Sequence, residues 1–217
     1  MFLKKMNLSV AFLLILLGTI NCKIINLSCR QIKAFVDGHN ERRAQLARGE
    51  IAGQPPASDM KYMVWDEELA AKAEKWAFKN VFKHNPDKTV GSGRFSTGEN
   101  LYMYSTMDLS SKLNPDVALQ SWFQEFKDFT YGEMKSSDFN RKEQIGHYTQ
   151  MAWSDSIYVG CAINNEVDKW NHFFVVCNYG PSGNYFGQKP YKTDGRTRDE
   201  LKCGTDDCSS LYGDTCS

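Results

Sequence analysis

The stretch GHYTQMAW, residues 146–153, places a single histidine, His147, among large apolar and aromatic side chains. A second stretch of similar character, CNYGPSGNY, follows at 177–185. An imidazole titrates near neutral pH and binds metal ions, so this setting makes His147 a candidate functional residue. Two such stretches in one chain make a chance pattern improbable, and they decide how the rest of the sequence is interpreted.

Two further motifs precede them, HNERR at 39–43 and GENL at 98–101. In this order the four motifs resemble those of the CAP superfamily, which comprises cysteine-rich secretory, antigen 5 and pathogenesis-related class 1 proteins. The resemblance extends over residues 32–191. It implies an α+β fold, a three-layer α-β-α sandwich with a small antiparallel sheet of three strands, and it predicts a CAP domain over 29–191.

The N-terminus has the residue order of a secretory signal peptide. Lys4 and Lys5 precede an apolar run at 8–17, and small or polar residues follow it. The run is shorter than the ~20 residues that a membrane-spanning helix needs. We therefore predict a signal peptide over 1–22, a secreted, extracellular protein and no transmembrane segment, with a membrane anchor as the less favoured alternative.

Composition does not point to a nucleic-acid partner. The chain has 26 basic and 26 acidic residues, and loss of segment 1–22 with its two lysines would leave 24 against 26. A balance of this kind indicates neither nucleic acid nor an anionic membrane as a partner.

Seven cysteines are present, and an even six remain if Cys22 leaves with the signal peptide. An even number suits disulfides in an oxidising compartment. Cys161 and Cys177 fall on the two strands of a predicted hairpin, so we expect them to pair. Of the other four, Cys203, Cys208 and Cys216 lie in a polar C-terminal extension over 192–217, and we expect one of these three to reach Cys29.

Apolar periodicity predicts three helices and a hairpin. Ser28 is a plausible N-cap for the first helix, which should end near Gly49; Asp66 can cap the second, and Asn114 can cap the third. Strands at 158–163 and 172–179 should be joined by the polar stretch 164–169. The predicted buried stripes are Ile32, Phe35, Val36, His39, Arg43 and Leu46, then Leu69, Ala73, Trp76, Ala77 and Val81, then Val117, Trp122 and Phe126.

The resemblance to the CAP superfamily implies a central cleft with two histidines and two glutamates. Matched motif by motif, these are His84, Glu99 of GENL, Glu125 of WFQE and His147. Neutral imidazoles suit Zn²⁺, and carboxylates complete the shell or orient an imidazole. We expect His84 and His147 to bind Zn²⁺ or a similar divalent cation weakly and as a non-essential cofactor, with Glu99 and Glu125 supporting them.

The remaining polar motif residues have a structural interpretation. His39 lies on the apolar stripe of the first helix, so we interpret HNERR as a hydrogen-bonding element rather than a ligand set. His172 opens a strand without motif support. Asn100, beside Glu99, is expected to fix loop backbone rather than to perform chemistry.

Three functional hypotheses remain. The first is a carrier of sterol or fatty acid, since some CAP relatives bind sterol in the loop after the third helix; ordinary core packing is the alternative role for the aromatic residues found there. The candidate lipid-binding residues are Phe126, Phe129, Tyr131 and Phe139.

The second hypothesis is an extracellular effector that binds host extracellular proteins.

The third hypothesis is a metal-assisted or acid-base hydrolase, suggested by paired carboxylates and histidines in one cleft. No HExxH or GxSxG motif supports it. The short cysteine tail and the glycosylation sequon at Asn26, the single one outside segment 1–22, most resemble helminth venom-allergen-like proteins. We therefore predict a lipid-binding effector rather than an enzyme.

Overall fold

The structure is a computed structural model that describes residues 21–206 and 208–216. Most of the predicted signal peptide therefore lies outside the described residues, although the backbone of Asn21 and Cys22 belongs to the first strand. Within the described ranges, no helix is long and apolar enough to cross a bilayer.

Strands and helices alternate in the first part of the described chain, and two helices followed by two strands end the domain. The strands are β1 (Asn21–Ile25), β2 (Val64–Trp65), β3 (Gly98–Thr106), β4 (Tyr158–Val167) and β5 (Asn171–Gly180). The α-helices are α1 (Cys29–Ala47), α2 (Glu67–Ala77), α3 (Pro115–Phe123) and α4 (Gly146–Met151).

The sheet has the order β1-β4-β5-β3, with antiparallel neighbours, and β2 pairs in parallel with β4. It has two strands more than the three that the resemblance implies; β1 and the very short β2 carry no alternating pattern that marks a strand. The hairpin is also longer than predicted. Asn164 and Asn165, assigned to the turn, pair within β4, where their side chains donate to Ala77 O (3.0 Å) and His172 O (2.9 Å).

Both faces of the sheet are covered, as the predicted three-layer α-β-α sandwich requires. On β5, Val175, Cys177 and Tyr179 belong to the core that contains α1, α3 and α4. Phe174 and Val176, which alternate with them, pack with α2 on the other face. The period of two along a strand thus separates two cores, and the predicted fold class is confirmed.

The three predicted N-caps are present: the side chains of Ser28, Asp66 and Asn114 accept backbone N–H groups at the starts of α1, α2 and α3. Two predicted core residues are wrong. Val81 lies beyond the end of α2 and is 44% exposed, and Val117 is 43% exposed. The buried face of α3 contains Ala118, Leu119 and Trp122, because residues three and four apart share a face and Val117 lies off it.

Three disulfides join the described cysteines. Cys161 and Cys177 are directly opposed on β4 and β5, with Cα atoms 4.1 Å apart. Cys29 at the start of α1 pairs with Cys216, and Cys203 pairs with Cys208. The extension over 192–217 packs against the domain through backbone bonds such as Trp65 N to Leu211 O (2.8 Å). Asn26, the sequon residue, is exposed just before α1.

Candidate functional site

The first half of the site pairs His84 with Glu99. His84 lies in the loop after α2, and Glu99 is the second residue of β3. His84 Nδ1 is 2.8 Å from Glu99 Oε1, which also accepts the backbone N–H of Asn85 at 2.9 Å. The Glu99 side chain is only 2% exposed, whereas that of His84 is 57% exposed. A buried carboxylate therefore anchors an imidazole that faces the solvent.

The second half pairs His147 with Glu125. His147 Nδ1 is 2.6 Å from Glu125 Oε1, and Glu125 Oε2 accepts the backbone N–H groups of His147 (2.9 Å) and Tyr148 (3.1 Å) at the start of α4. The indole of Trp122 stacks on the imidazole with ring centroids 6.1 Å apart. One carboxylate thus fixes both the backbone and the ring of His147, and the indole limits how far the ring can turn.

These contacts determine which ring nitrogen of each histidine is free. A carboxylate only accepts hydrogen bonds, so Nδ1 of His84 and of His147 must carry the proton. In the neutral ring Nε2 then holds the lone pair. Carboxylates that hold the remote nitrogen in this way orient metal-binding histidines in many proteins. Both imidazoles are therefore prepared as ligands through Nε2.

Two adjoining cavities form the cleft, with volumes of about 260 and 300 Å³. His84 and His147 line both of them; Glu99 borders the first and Glu125 the second. All four predicted residues are therefore brought to one place. In the part of the chain that is described, no three His, Cys, Asp or Glu side chains are grouped closely enough to hold a metal ion.

A buried chain of hydrogen bonds connects α1 to this cleft. His39 Nδ1 donates to Phe35 O at 2.7 Å, and the Tyr179 hydroxyl donates to His39 Nε2 at 2.9 Å. Tyr179 in turn accepts from Asn100 Nδ2 (3.1 Å), which also donates to His147 O (3.1 Å). His39 is thus a structural residue. Asn100 fixes backbone as predicted, but from within β3 rather than from a loop.

HNERR has a second buried contact set. Asn40 exchanges two hydrogen bonds with the backbone of Met63, at 2.7 and 3.0 Å. Arg43 is 1% exposed, and its guanidinium donates to the backbone carbonyls of Lys61, Met151, Trp153 and Ser154. Burial lowers the pKa of Arg43 to about 9, so it remains charged at neutral pH. The motif thus joins α1 to the end of α4.

Comparison with known families agrees with these motifs and their geometry. The family described as "Cysteine-rich secretory protein family", or CAP, matches residues 36–179. The chain belongs to the CAP family. Venom allergen 5 of Rhynchium brunneum is 43% identical over 157 residues, which cover 71% of this chain and 67% of the relative. Scoloptoxin SSD976 of Scolopendra dehaani is 34% identical, covering 90% of this chain and 88% of the relative.

Solved CAP structures share the fold. The crystal structure of NaASP2 with Zn²⁺ has a TM-score of 0.65 and 31% identity, covering 77% of this chain and 87% of that one. Venom allergen-like protein 4 of Schistosoma mansoni has a TM-score of 0.61 and 26% identity, covering 77% of this chain and 96% of that one.

The four aromatic candidates for lipid binding in this CAP domain lie in two places. Phe126 and Phe129 pack around Tyr148, and Tyr131 packs on Tyr191, with ring centroids 4.9 to 6.3 Å apart. Phe139 is separate: it is 44% exposed, borders the first cavity and contacts Phe186 at 5.8 Å. The first three therefore contribute to the packing of the domain, and Phe139 alone of the four lies at the cleft.

Several site residues were not assigned from the sequence. Tyr179 and Asn184 both belong to CNYGPSGNY; Asn184 donates to Gly146 O (2.9 Å) and accepts from the Thr149 hydroxyl (2.7 Å), which holds the first turn of α4. Trp122 was expected only as a core residue. The motif itself was the available signal for Tyr179 and Asn184, but nothing in their spacing shows that they contact α1 and α4.

Proposed function

We propose that this CAP protein is an extracellular effector whose cleft binds Zn²⁺ or a similar divalent cation through His84 and His147. The observation that carries the proposal is the matched orientation of the two imidazoles: each gives Nδ1–H to a carboxylate and keeps Nε2 for a ligand. The solved relative NaASP2, 31% identical, was crystallised with Zn²⁺ and supports this choice of ion.

The donor set fits a weakly held cation. Two imidazoles without a third strong protein ligand leave coordination positions for water, as in an exchangeable rather than a structural zinc site. Glu99 Oε2 is buried at the border of the cleft without a hydrogen-bond partner, so it retains an acceptor there. When bound, the cation would supply positive charge and open coordination positions; the protein's own residues supply orientation.

Replacing both His84 and His147 with alanine should abolish measurable Zn²⁺ binding in calorimetry, because both Nε2 ligands are lost. Glu125→Gln should weaken binding about 10- to 100-fold, as is typical when the partner of a metal-binding histidine changes. Affinity should also fall in acid, since protons compete for Nε2. His172→Ala, at a partly exposed histidine outside the cleft, is the matched control. Unchanged affinity in a folded double variant would refute the site.

The effector role and the extracellular location rest on the relatives. The similar proteins include venom allergens and scoloptoxins, names that place those proteins in venoms. The three disulfides of this chain suit the same oxidising environment. We therefore propose secretion followed by action on extracellular proteins of another organism, without catalysis.

The hydrolase remains the alternative function. In the described part of the chain, neither cleft imidazole hydrogen-bonds to a serine, threonine or cysteine that it could activate as a nucleophile. Metal-activated water would be the remaining route. Zinc-dependent peptide or ester cleavage that disappears in the His84→Ala, His147→Ala variant would establish the hydrolase and displace the non-catalytic proposal.

Sterol or fatty-acid binding is the second proposed activity, favoured by the exposed pair of Phe139 and Phe186 at the cleft. The two rings are 44% and 61% exposed and contact each other beside the first cavity. Apolar burial contributes about 0.8 kcal/mol per CH₂ group, so a ligand with a long alkyl chain needs no charged anchor.

Titration with labelled cholesterol and labelled palmitate should show saturable binding that weakens in a Phe139→Ala, Phe186→Ala variant. The Glu125→Ala, His147→Ala variant should retain lipid binding, because the apolar contacts do not depend on the metal ligands. Val117→Ala, at an exposed apolar residue on α3, is the control. Absence of saturable binding by the wild-type protein would remove the lipid-carrier function.

A further inference from the structure

Three turns lie at one end of the sheet: the hairpin turn between β4 and β5, the loop after β3 and the turn after α2. β4 ends at Val167 and β5 begins at Asn171, and these two residues pair directly. Thr106, the last residue of β3, pairs with Asn171 from the other side. The hairpin turn at 168–170 and the loop at 107–111 therefore start from neighbouring positions at the same end.

Side-chain hydrogen bonds hold all three turns together. Asn171 Nδ2 lies 3.0 Å from Ser111 O and 3.3 Å from Asp108 O, which binds the 107–111 loop to the hairpin. Asn80, in the turn that follows α2, donates through its side chain to Glu166 of β4. Asn80 has a φ of 50°, the left-handed conformation that reverses the chain there. This end of the molecule is thus a connected set of loops.

The connected turns expose an unusual amount of apolar surface. The described residues include thirteen strongly exposed large apolar side chains, and seven of them lie on these three turns or at the adjoining strand end. Met107 is 73% exposed and Phe78 is 64% exposed. We call the set the hairpin-end surface: Phe78, Val81, Phe82, Met107, Leu109, Val167 and Trp170. A concentration of this kind marks an interaction site.

Lysines are interleaved with these apolar residues. Lys79 and Lys83 flank Val81 and Phe82, Lys169 precedes Trp170, and Lys112 follows the 107–111 loop; all four are exposed. The nearby acidic residues are engaged within the turns. Asp108 accepts from Ser110 and Asp168 accepts from Trp170 N (2.6 Å), while Glu166 accepts from Asn80. These hydrogen bonds do not neutralise the three carboxylates, so the four lysines leave a surplus of one positive charge.

We propose that the hairpin-end surface binds the interface of an anionic phospholipid bilayer. Aromatic and aliphatic side chains on short turns can enter the headgroup region without a complementary groove, and tryptophan favours that depth. Lysines beside them attract anionic lipid, each adding roughly fivefold to affinity. The balanced total charge does not oppose this, because distant charges are screened beyond about 8 Å at physiological ionic strength.

This binding is separate from lipid uptake at the cleft. Phe139 and Phe186 belong to the cleft proposal, whereas the hairpin-end surface needs neither those residues nor a metal. Phe82 contributes to both regions, since it lines the second cavity two residues before His84. A membrane-bound molecule would accordingly hold its cleft close to the lipid surface.

Co-sedimentation of the secreted protein with vesicles tests the proposal. The protein should bind phosphatidylcholine vesicles that contain phosphatidylserine, and it should bind vesicles of phosphatidylcholine alone much more weakly. Lys79→Gln with Lys169→Gln should weaken binding about 25-fold, from roughly fivefold per lysine. Phe78→Ser with Trp170→Ser should weaken it at least as much. Brominated acyl chains should quench part of the tryptophan emission, and Trp170→Phe should remove that part.

Val117→Ser and Lys202→Gln are matched controls, because both residues are exposed and lie outside the hairpin-end surface. They should bind like the wild type, as should the Phe139→Ala, Phe186→Ala variant, which separates this proposal from lipid uptake. All variants have the same N-terminus, so a signal peptide that was not removed would affect their vesicle binding equally. Equal binding to both vesicle types, no binding, or equal losses in variants and controls would overturn the proposal. The proposal would also be overturned if a partner protein bound through these residues while vesicles did not bind.

Discussion

Arg43→Met should destabilise the protein by about 3–5 kcal/mol, because the buried carbonyls that it binds lose a hydrogen-bond donor. The guanidinium donates to four backbone carbonyls at 2.7 to 3.2 Å, and methionine has no donor for any of them. Each buried group left without a partner costs about 1–3 kcal/mol. Methionine avoids the cost of burying a charged arginine, which offsets part of this loss of stability. Urea unfolding at neutral pH measures the change in free energy.

Arg48→Met provides the matched control. Arg48 lies just after α1 and pairs with Glu41 and Glu50, whose side chains are 60% and 48% exposed. Surface ion pairs contribute about 0–1 kcal/mol, so this variant should remain close to the wild type. Equal losses in the two variants would contradict the role assigned to Arg43. Because Arg43 binds Met151 O at the end of α4, its loss should also weaken Zn²⁺ binding at His147.

The sequence predicts the fold well where local signals agree with packing. Ser28, Asp66 and Asn114 are caps because their short polar side chains reach the next free N–H groups, a local property of the chain. β1 and β2 could not be found in this way. β1 pairs with β4 across at least 138 positions and β2 across 94, and Val64–Trp65 is too short for any alternation.

The site was predictable as a set but not as an arrangement. Family motifs identify the two histidines and two glutamates. They do not show that Glu99 holds His84, across 15 positions, or that Glu125 holds His147, across 22. Those pairings depend on how the loop after α2 packs against β3 and how residues 124–127 pack against α4. The hairpin-end surface was missed for a related reason: net charge sums over the chain, whereas the lysines that face a partner are selected by the fold.

His39 shows how the buried network responds to pH. Its ring has no exposure, and burial, strengthened by the charges of Arg42 and Arg43, lowers the pKa to about 3 even though the Phe35 carbonyl acts in the opposite direction. An unfolded histidine has a pKa near 6.5. Between pH 3 and pH 6.5, His39 is therefore protonated in the unfolded chain but neutral in the folded protein. Stability is therefore complete above about pH 6.5 and declines as the pH falls below it.

We expect His39 alone to cost roughly 2–3 kcal/mol between pH 7 and pH 4.5, at about 1.4 kcal/mol per pH unit once the unfolded histidine is protonated. His39→Gln should be less stable than the wild type at pH 7, because an amide fits the two hydrogen bonds less well, but its stability should decline less steeply in acid. Urea unfolding at several pH values gives both slopes, and their difference removes the contribution of the other titrating groups.

His172→Gln is the control, since it removes a partly exposed histidine and should keep the steep wild-type slope. Identical slopes in wild type and His39→Gln would show that His39 is not held neutral. The consequence reaches the cleft, because Tyr179 donates to His39 Nε2 and accepts from Asn100, which holds His147 O. Protonated Nε2 could not accept that bond. Folded His39 takes up this proton only near pH 3, so the backbone behind His147 should loosen there, well below the pH at which stability begins to decline.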